Sequence, residues 1–110
     1  MKYNLKAAKI ELSEANKEYI QTKIDMLDKY LGNIQVIDCK VIVGKAVNGQ
    51  NSGEIYKAEA ILQLPHITLT VEKVETDLLK AVDNMKEHLG RLIVKHHEKV
   101  IERRRKVVQE

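Results

Sequence analysis

The spacing of hydrophobic residues changes along the chain, and this change most constrains the fold. Over residues 14–31 apolar residues recur at steps of three and four, which is the spacing of one face of an α-helix. Three segments between residues 37 and 71 instead alternate apolar and polar residues, as half-buried strands do. Helical spacing returns from residue 76 and continues beyond residue 100. With a weakly alternating strand over residues 2–10, the predicted order is β-α-β-β-β-α.

The first predicted helix has start and stop signals in the sequence. Ser13 can cap it, because its hydroxyl can accept a hydrogen bond from a free amide of the first turn. Gly32 can supply the left-handed residue that commonly ends a helix. We therefore expect one helix over roughly residues 14–31. Its predicted inner face consists of Ala15, Tyr19, Ile20, Ile24, Leu27 and Leu31, widened by Met26 and Tyr30.

The three alternating segments predict strands with one buried face each. A Gly- and Asn-rich loop is expected at residues 44–53, and Pro65 should end the second segment because proline cannot donate to a ladder. The inward residues are expected to be Ile37, Cys39, Val41, Val43, Tyr56, Ala58, Ala60, Leu62, Ile67, Leu69 and Val71.

These elements predict a two-layer α+β sandwich. The first two strands, joined by a helix, should pair in parallel, and the next two should add as an antiparallel meander. This gives a four-stranded mixed sheet with both helices on one face. At 110 residues the chain has the size of one domain. The last helix, capped by Thr76 or Asp77 and about 35 Å long, should project beyond the sheet.

Positive charge is concentrated near the end of the chain. Residues 86–106 hold eight Lys or Arg against three acids, a local balance of +5, whereas the rest holds eleven against thirteen. On the last helix a second row runs beside the apolar face: Lys80, Asn84, His88, Arg91, Lys95 and Lys99. Such spacing matches successive phosphates of a nucleic acid, although charged rows are more often simply solvated helix faces. Because Phe and Trp are absent, contacts to phosphate and shape are expected rather than base stacking.

Signals for catalysis, metals and membranes are lacking in the sequence. No two histidines are four residues apart, and Cys39 has no second thiol, so we expect no metal site, cofactor, disulfide or enzymatic activity. His96 falls on the apolar face, where a structural role is expected. No stretch has the length of a spanning helix or a signal sequence, so a cytoplasmic protein is expected.

Two segments resemble the bacterial ribosome hibernation-promoting factors and ribosome-associated inhibitors. "SEANKEYIQTKIDMLDKY" is similar to the basic first helix of that family, and "TDLLKAVDNMKEHLGRLIVKHHEK" is similar to its last helix. The resemblance covers residues 1–99 without a gap. The residues at matching positions in the last helix are Asp77, Ala81, Asp83, Leu89, Arg91, Lys95, His96 and Lys99.

The resemblance implies both a fold and a partner. The fold would be related to double-stranded RNA-binding domains, over residues 1–99, with residues 100–110 as a basic helix extension or tail. The protein would bind the small ribosomal subunit in the decoding channel, with Lys17, Lys23, Arg91, Lys95 and Lys99 contacting phosphates of its ribosomal RNA. From the row on the last helix, Lys80 and His88 are predicted to contact the RNA as well. The protein would block messenger and transfer RNA during starvation or stationary phase, without a membrane or small-molecule substrate, and as a monomer off the ribosome.

Three departures and two alternatives accompany that expectation. His88 and His97 stand where the family usually has Lys, and Leu92 stands where it has Gln. Because histidine gains charge in acid, RNA affinity is expected to rise on acidification. The chain lacks the second domain of long members, so it should not pair ribosomes through such a domain; whether it favours pairing otherwise is open. The alternatives are a general double-stranded RNA-binding module and an adaptor that uses the polar sheet face.

Overall fold

The computed structural model describes residues 1–46 and 55–108. Within them the chain forms one sheet covered by helices, in the predicted order except that the first helix is divided. The elements are β1 (Asn4–Ala8), α1 (Glu14–Asp25), α2 (Asp28–Leu31), β2 (Asp38–Lys45), β3 (Tyr56–Leu64), β4 (Ile67–Glu75) and α3 (Leu78–Val108).

The sheet has the predicted mixed topology. Its order is β1-β2-β3-β4, with β1 parallel to β2 and the two following pairs antiparallel. Pro65 ends β3 as expected, and His66 completes the tight turn with a φ of 70°. Gly44 faces Ala8 across the parallel pair, and a Cβ there would overlap the Ala8 carbonyl oxygen. A side chain at this position would therefore separate β1 from β2.

The core lies between the helices and one face of the sheet. The inward strand residues are the predicted ones with a few exceptions, and α1, α2 and α3 supply the other half. This confirms the two-layer α+β sandwich with the helices on one face. The fully buried larger residues are Ile20, Ile24, Leu27, Leu62, Leu64, Met85, Leu89, Ile93, Val41, Val43, Val82 and Cys39.

The prediction of one unbroken helix over residues 14–31 was wrong. The Leu27 amide bonds to Ile24 O and the Tyr30 amide to Leu27 O, which are the shorter i→i+3 bonds of a tightened turn. The turn buries Leu27 completely but leaves Met26 40% exposed. Met26 therefore does not widen the inner face, and Ala15, also predicted inward, is exposed.

Other predicted boundaries also shift. β1 is shorter than the predicted strand, and Ile37, expected inward, precedes β2 and is 53% exposed. Gly44 and Lys45, placed in the predicted loop, belong to β2. The remainder of that loop prediction, residues 47–53, lies outside the described residues.

The last helix is longer than expected. α3 has 31 residues, which at ~1.5 Å per residue gives ~46 Å rather than ~35 Å. It begins with a cap, because the Asp77 carboxylate accepts a hydrogen bond from the Leu79 amide at 3.3 Å. Among the α3 side chains that the structure describes, Ile93 is the last fully buried one, and the molecule is elongated, 60 × 29 × 18 Å. Within the described ranges, none of the helices combines the length and apolarity needed to cross a membrane.

Candidate nucleic-acid interface

The cationic row comprises the six residues Lys80, Asn84, His88, Arg91, Lys95 and Lys99. The core-facing residues of α3 fix the rotation of the helix, so the row is turned away from the core. Four members, Lys80, Arg91, Lys95 and Lys99, are exposed. In the part of the chain that the structure describes, no salt bridge or hydrogen bond occupies their charged groups. These four cations are free to meet an anionic partner.

The two other members of the row lie against β4. The Asn84 side-chain amide donates to Glu75 Oε1 at 2.6 Å, so Asn84 ties α3 to the end of the edge strand. His88 is half-buried, and its Nδ1 has no partner among the described residues. Desolvation, together with the charges of Lys73 and Arg91, lowers the pKa of His88 below its ordinary value. His88 is therefore neutral at neutral pH and adds no positive charge to the row there.

The expected effect of acid on binding must therefore be revised for His88. Because its pKa is lowered, His88 becomes charged only in more acidic solution than an ordinary histidine. A gain in affinity carried by His88 would appear only below the usual titration range. The proposal that His88 contacts RNA is not tested by this geometry and stays a prediction.

Lys23 is held between α1 and α3. Its ammonium lies 3.3 Å from Asp83 Oδ1, and the Tyr19 hydroxyl donates to the same oxygen at 2.6 Å. The ammonium also lies 5.3 Å from the centre of the Tyr19 ring. The hydrogen bond to Asp83 is the main cause that raises the pKa of Lys23, and the bond that Tyr19 makes to Asp83 likewise raises the pKa of Tyr19. We call these three residues the Asp83 cluster.

Lys17 lies apart from the row. Its ammonium is 3.5 Å from Glu14 Oε1 in an exposed pair on α1, and its side chain borders a depression with Leu5 and Leu12. That places Lys17 over β1, whereas the row borders β4 at the opposite edge of the sheet. The structure thus brings Lys23 towards α3 and leaves Lys17 on the far side of the helix layer.

The side of α3 that faces α2 forms a shallow depression. Tyr30 packs against Gly90, where a Cβ would come within 3.2 Å of the Tyr30 ring. The depression continues past Val94 and is bordered by Arg91 and Lys95. Two cations of the row therefore stand at the rim of a concave surface.

The sequence did not indicate the Asp83 cluster. Tyr19 and Asp83 are 64 residues apart, and no local pattern indicates their contact. Only the packing of α1 against α3 brings them together.

Of the basic cluster at residues 103–106, Arg103 is exposed, and the side chains of Arg104, Arg105 and Lys106 lie outside the described ones.

Two features bear on chemistry in the described residues, the thiol of Cys39 and the grouping of metal-ligating side chains. Cys39 is buried, and burial is the main cause that raises its pKa to about 11, so the thiol is protonated at neutral pH. Among residues 1–46 and 55–108, no three His, Cys, Asp or Glu are grouped so as to hold a metal ion. The chemistry that these residues offer is electrostatic attraction to an extended anion.

An α+β sandwich with free cations along its longest helix defines a class of protein suited to binding a polyanion. The chain belongs to the family described as "Sigma 54 modulation protein / S30EA ribosomal protein", whose model matches residues 3–101. The resemblance drawn from the two helices is thereby confirmed at the level of the family.

Relatives agree with that membership. The chain is 25% identical to the ribosome hibernation promoting factor of Azotobacter vinelandii over 103 residues, covering 94% of this chain and 89% of that protein. It is 30% identical over 100 residues to the ribosome hibernation promotion factor of Bacillus subtilis, covering 91% of this chain and 50% of that protein. The chain thus spans about half the length of the Bacillus relative.

The fold also matches a known structure. The N-terminal domain of Thermus thermophilus Protein Y superposes with a TM-score of 0.70 at 24% identity, covering 86% of this chain and 96% of that one. At this identity the match supports the fold alone.

Proposed function

We propose that this protein is a ribosome hibernation factor that binds the small ribosomal subunit through ribosomal RNA. The proposal places it in the decoding channel in the cytoplasm, where it excludes messenger and transfer RNA and silences idle ribosomes. It acts as a monomer and by occlusion, without catalysis. The observation that carries the proposal is a set of four exposed cations on α3 that have no salt-bridge partner among the described residues, in a chain that belongs to this family.

The electrostatics of α3 support binding to phosphates. Residues three and four apart on a helix lie about 5–6 Å from one another, so Arg91, Lys95 and Lys99 form a continuous line of charge. Each phosphate that such a cation neutralises releases condensed counterions, which makes the affinity strongly dependent on salt. Arg91 can in addition hold a phosphate through two parallel hydrogen bonds. The names of the Azotobacter and Bacillus relatives support the ribosome as the source of these phosphates.

Occlusion needs a rigid body as well as charge. The sheet and the buried face of α3 up to Ile93 form one continuous core, so the members of the row from Lys80 to Arg91 are presented on a stiff support. A rigid wedge loses little conformational entropy on binding. We therefore expect a folded domain that fills its site without rearranging.

The first experiment is co-sedimentation with vacant small subunits across a salt series. We expect stoichiometric binding whose affinity falls steeply as salt rises. The variant Arg91→Ala/Lys95→Ala/Lys99→Ala should fold normally, because all three side chains are exposed, and should bind at least a hundredfold more weakly, at roughly 1 kcal/mol or more per charged contact.

A matched control removes the same charge from the opposite face. Lys6 of β1, Lys40 of β2 and Lys57 of β3 lie on the open face of the sheet, and their triple Ala variant lowers the net charge equally. This variant should bind nearly as the unmodified protein does. Equal weakening by both triple variants would show unspecific attraction, and unchanged binding by the α3 variant would refute the proposal.

Duplex RNA as competitor separates the proposal from a general double-stranded RNA-binding module. A ribosome-specific protein should remain bound in excess duplex, whereas a general module should be displaced. An adaptor that binds protein through the open sheet face would bind without strong dependence on salt, and its binding would be lost in the sheet-face variant instead.

A further inference from the structure

The Asp83 carboxylate lies where α1 and α3 meet, next to the proposed RNA-binding surface. Asp83 is 37% exposed and uses one oxygen, Oδ1, to accept both the Tyr19 hydroxyl at 2.6 Å and the Lys23 ammonium at 3.3 Å. An acid at a phosphate-binding surface ordinarily weakens binding, because it repels the ligand. Its contacts in this structure indicate a different effect.

The position of Asp83 on α3 links Lys23 to the row. Asp83 follows Lys80 by three residues, and side chains at this spacing are neighbours on a helix. Lys23 belongs to α1, and its ammonium reaches across the groove between the helices to Asp83. Asp83 therefore contacts a cation of α1 and lies one helical turn from Lys80, the first cation of the row on α3.

We propose that Asp83 is a positioning residue that fixes Lys23 next to Lys80, so that ammonium groups from two helices receive one RNA phosphate. This inference rests on the proposed function and adds Lys23 and Asp83 to the site as a coupled pair. Asp83 itself does not contact the RNA.

Two physical arguments favour positioning over repulsion. A free lysine loses rotamer freedom when it binds a phosphate, whereas Lys23 is already held by the Asp83 carboxylate and the Tyr19 ring. Two ammonium groups beside one another also repel, and a carboxylate near both offsets this repulsion.

The arrangement leaves Lys23 able to bind. Its ammonium has three protons, of which Asp83 accepts one, and its side chain remains 24% exposed. The Tyr19 hydroxyl also donates a hydrogen bond to the Asp83 carboxylate, so the carboxylate is shared between Tyr19 and Lys23. Lys23 therefore retains donors for a phosphate.

The test is the variant Asp83→Asn, measured by co-sedimentation with small subunits across a salt series. Asn keeps the size of the side chain and can still accept from Tyr19, so the fold should be retained. Although the variant removes a negative charge, we expect roughly five- to tenfold weaker binding, the order of one charge-assisted contact. The slope of log affinity against log salt should become shallower by about 0.7 to 0.9, as for one lost phosphate contact.

Glu87→Gln is the matched control. Glu87 is exposed, lies one turn further along α3 and makes no hydrogen bond or salt bridge among the described residues. Removing its charge should strengthen binding slightly and leave the number of phosphate contacts unchanged. If Asp83→Asn strengthens binding as Glu87→Gln does, Asp83 merely subtracts charge and the inference is wrong.

A double-variant cycle with Lys23→Met keeps the inference separate from the proposed function. Lys23→Met should reduce affinity and slope as Asp83→Asn does, and the combined variant should be no weaker than either. Additive losses, or normal binding by Lys23→Met, would overturn the inference even where the α3 triple variant fails to bind. Normal binding by that triple variant would instead overturn the proposed function.

Discussion

α3 consists of two parts that share one hydrophobic pattern but not one environment. Residues 78–93 supply Ala81, Val82, Met85, Leu89 and Ile93 to the core, whereas residues 94–101 contain no fully buried side chain. Apolar spacing nevertheless continues through His96 and Val100, which are only half-buried. The comparison teaches that periodicity predicts a helix and its inner face, while burial depends on whether a sheet lies opposite.

The largest expected effect is a difference in stability loss between substitutions in these two parts of α3. Leu89→Ala removes a fully buried side chain and should lower the free energy of unfolding by about 2–5 kcal/mol. Val100→Ala, on the same face two to three turns later, should cost less than about 1 kcal/mol, because its environment is partly solvent. Urea unfolding of both variants measures the difference. Equal losses would show that the second part of α3 is packed as tightly as the first.

Removing residues 100–110 tests the same contrast at a domain boundary. We expect the shortened chain to fold with an unfolding free energy within about 0.5 kcal/mol of the original, because no fully buried side chain among the described residues follows Ile93. Urea unfolding measures this difference. A loss above 2 kcal/mol would contradict the predicted boundary after residue 99. Any loss of ribosome affinity at unchanged stability would assign the removed cations to binding.

The smallest expected effect is the pH dependence of stability contributed by His88, which lies in the packed part of α3. The folded state lowers the pKa of His88 by burial and by the nearby charges of Lys73 and Arg91. The unfolded chain therefore binds a proton at an ordinary pKa of about 6.5, before the folded protein does. The stability that neutral His88 contributes should be fully present above about pH 6.5. It should be lost as the pH falls from there towards the lower pKa that His88 has in the folded protein.

His88→Gln isolates this contribution, since the three other histidines remain. Urea unfolding between pH 7.5 and 5 should show a smaller loss of stability on acidification for the variant than for the original protein. Parallel curves would show that His88 titrates alike in the folded and unfolded chain.

The fold could be predicted well because its signals are local. Alternation in β2, β3 and β4 placed Val41, Ala60 and Leu69 correctly on the buried face. Failures arose where tertiary contacts decide the outcome. Met26 fits the helical spacing, but the turn that buries Leu27 directs Met26 into solvent. Ile37 fits the alternation of β2 but lies before that strand begins.

The candidate site divides in the same way. The row on α3 was visible in the sequence because helical spacing alone aligns Arg91, Lys95 and Lys99. The sequence did not distinguish these free cations from Lys23, which Asp83 holds, or from Lys17, which lies at the other edge of the sheet. The roles of all these residues in RNA binding stay predictions.

The sequence by itself determined the order of elements, the mixed sheet and the line of charge on α3, because each depends on residues close together in the chain. The tertiary structure alone decided where the buried part of α3 ends. It also decided that His88 is half-buried near the charges of Lys73 and Arg91 and that Lys23 is held by Asp83. These outcomes depend on residues from different elements, such as Tyr19 and Asp83, whose contact exists only once α1 packs against α3.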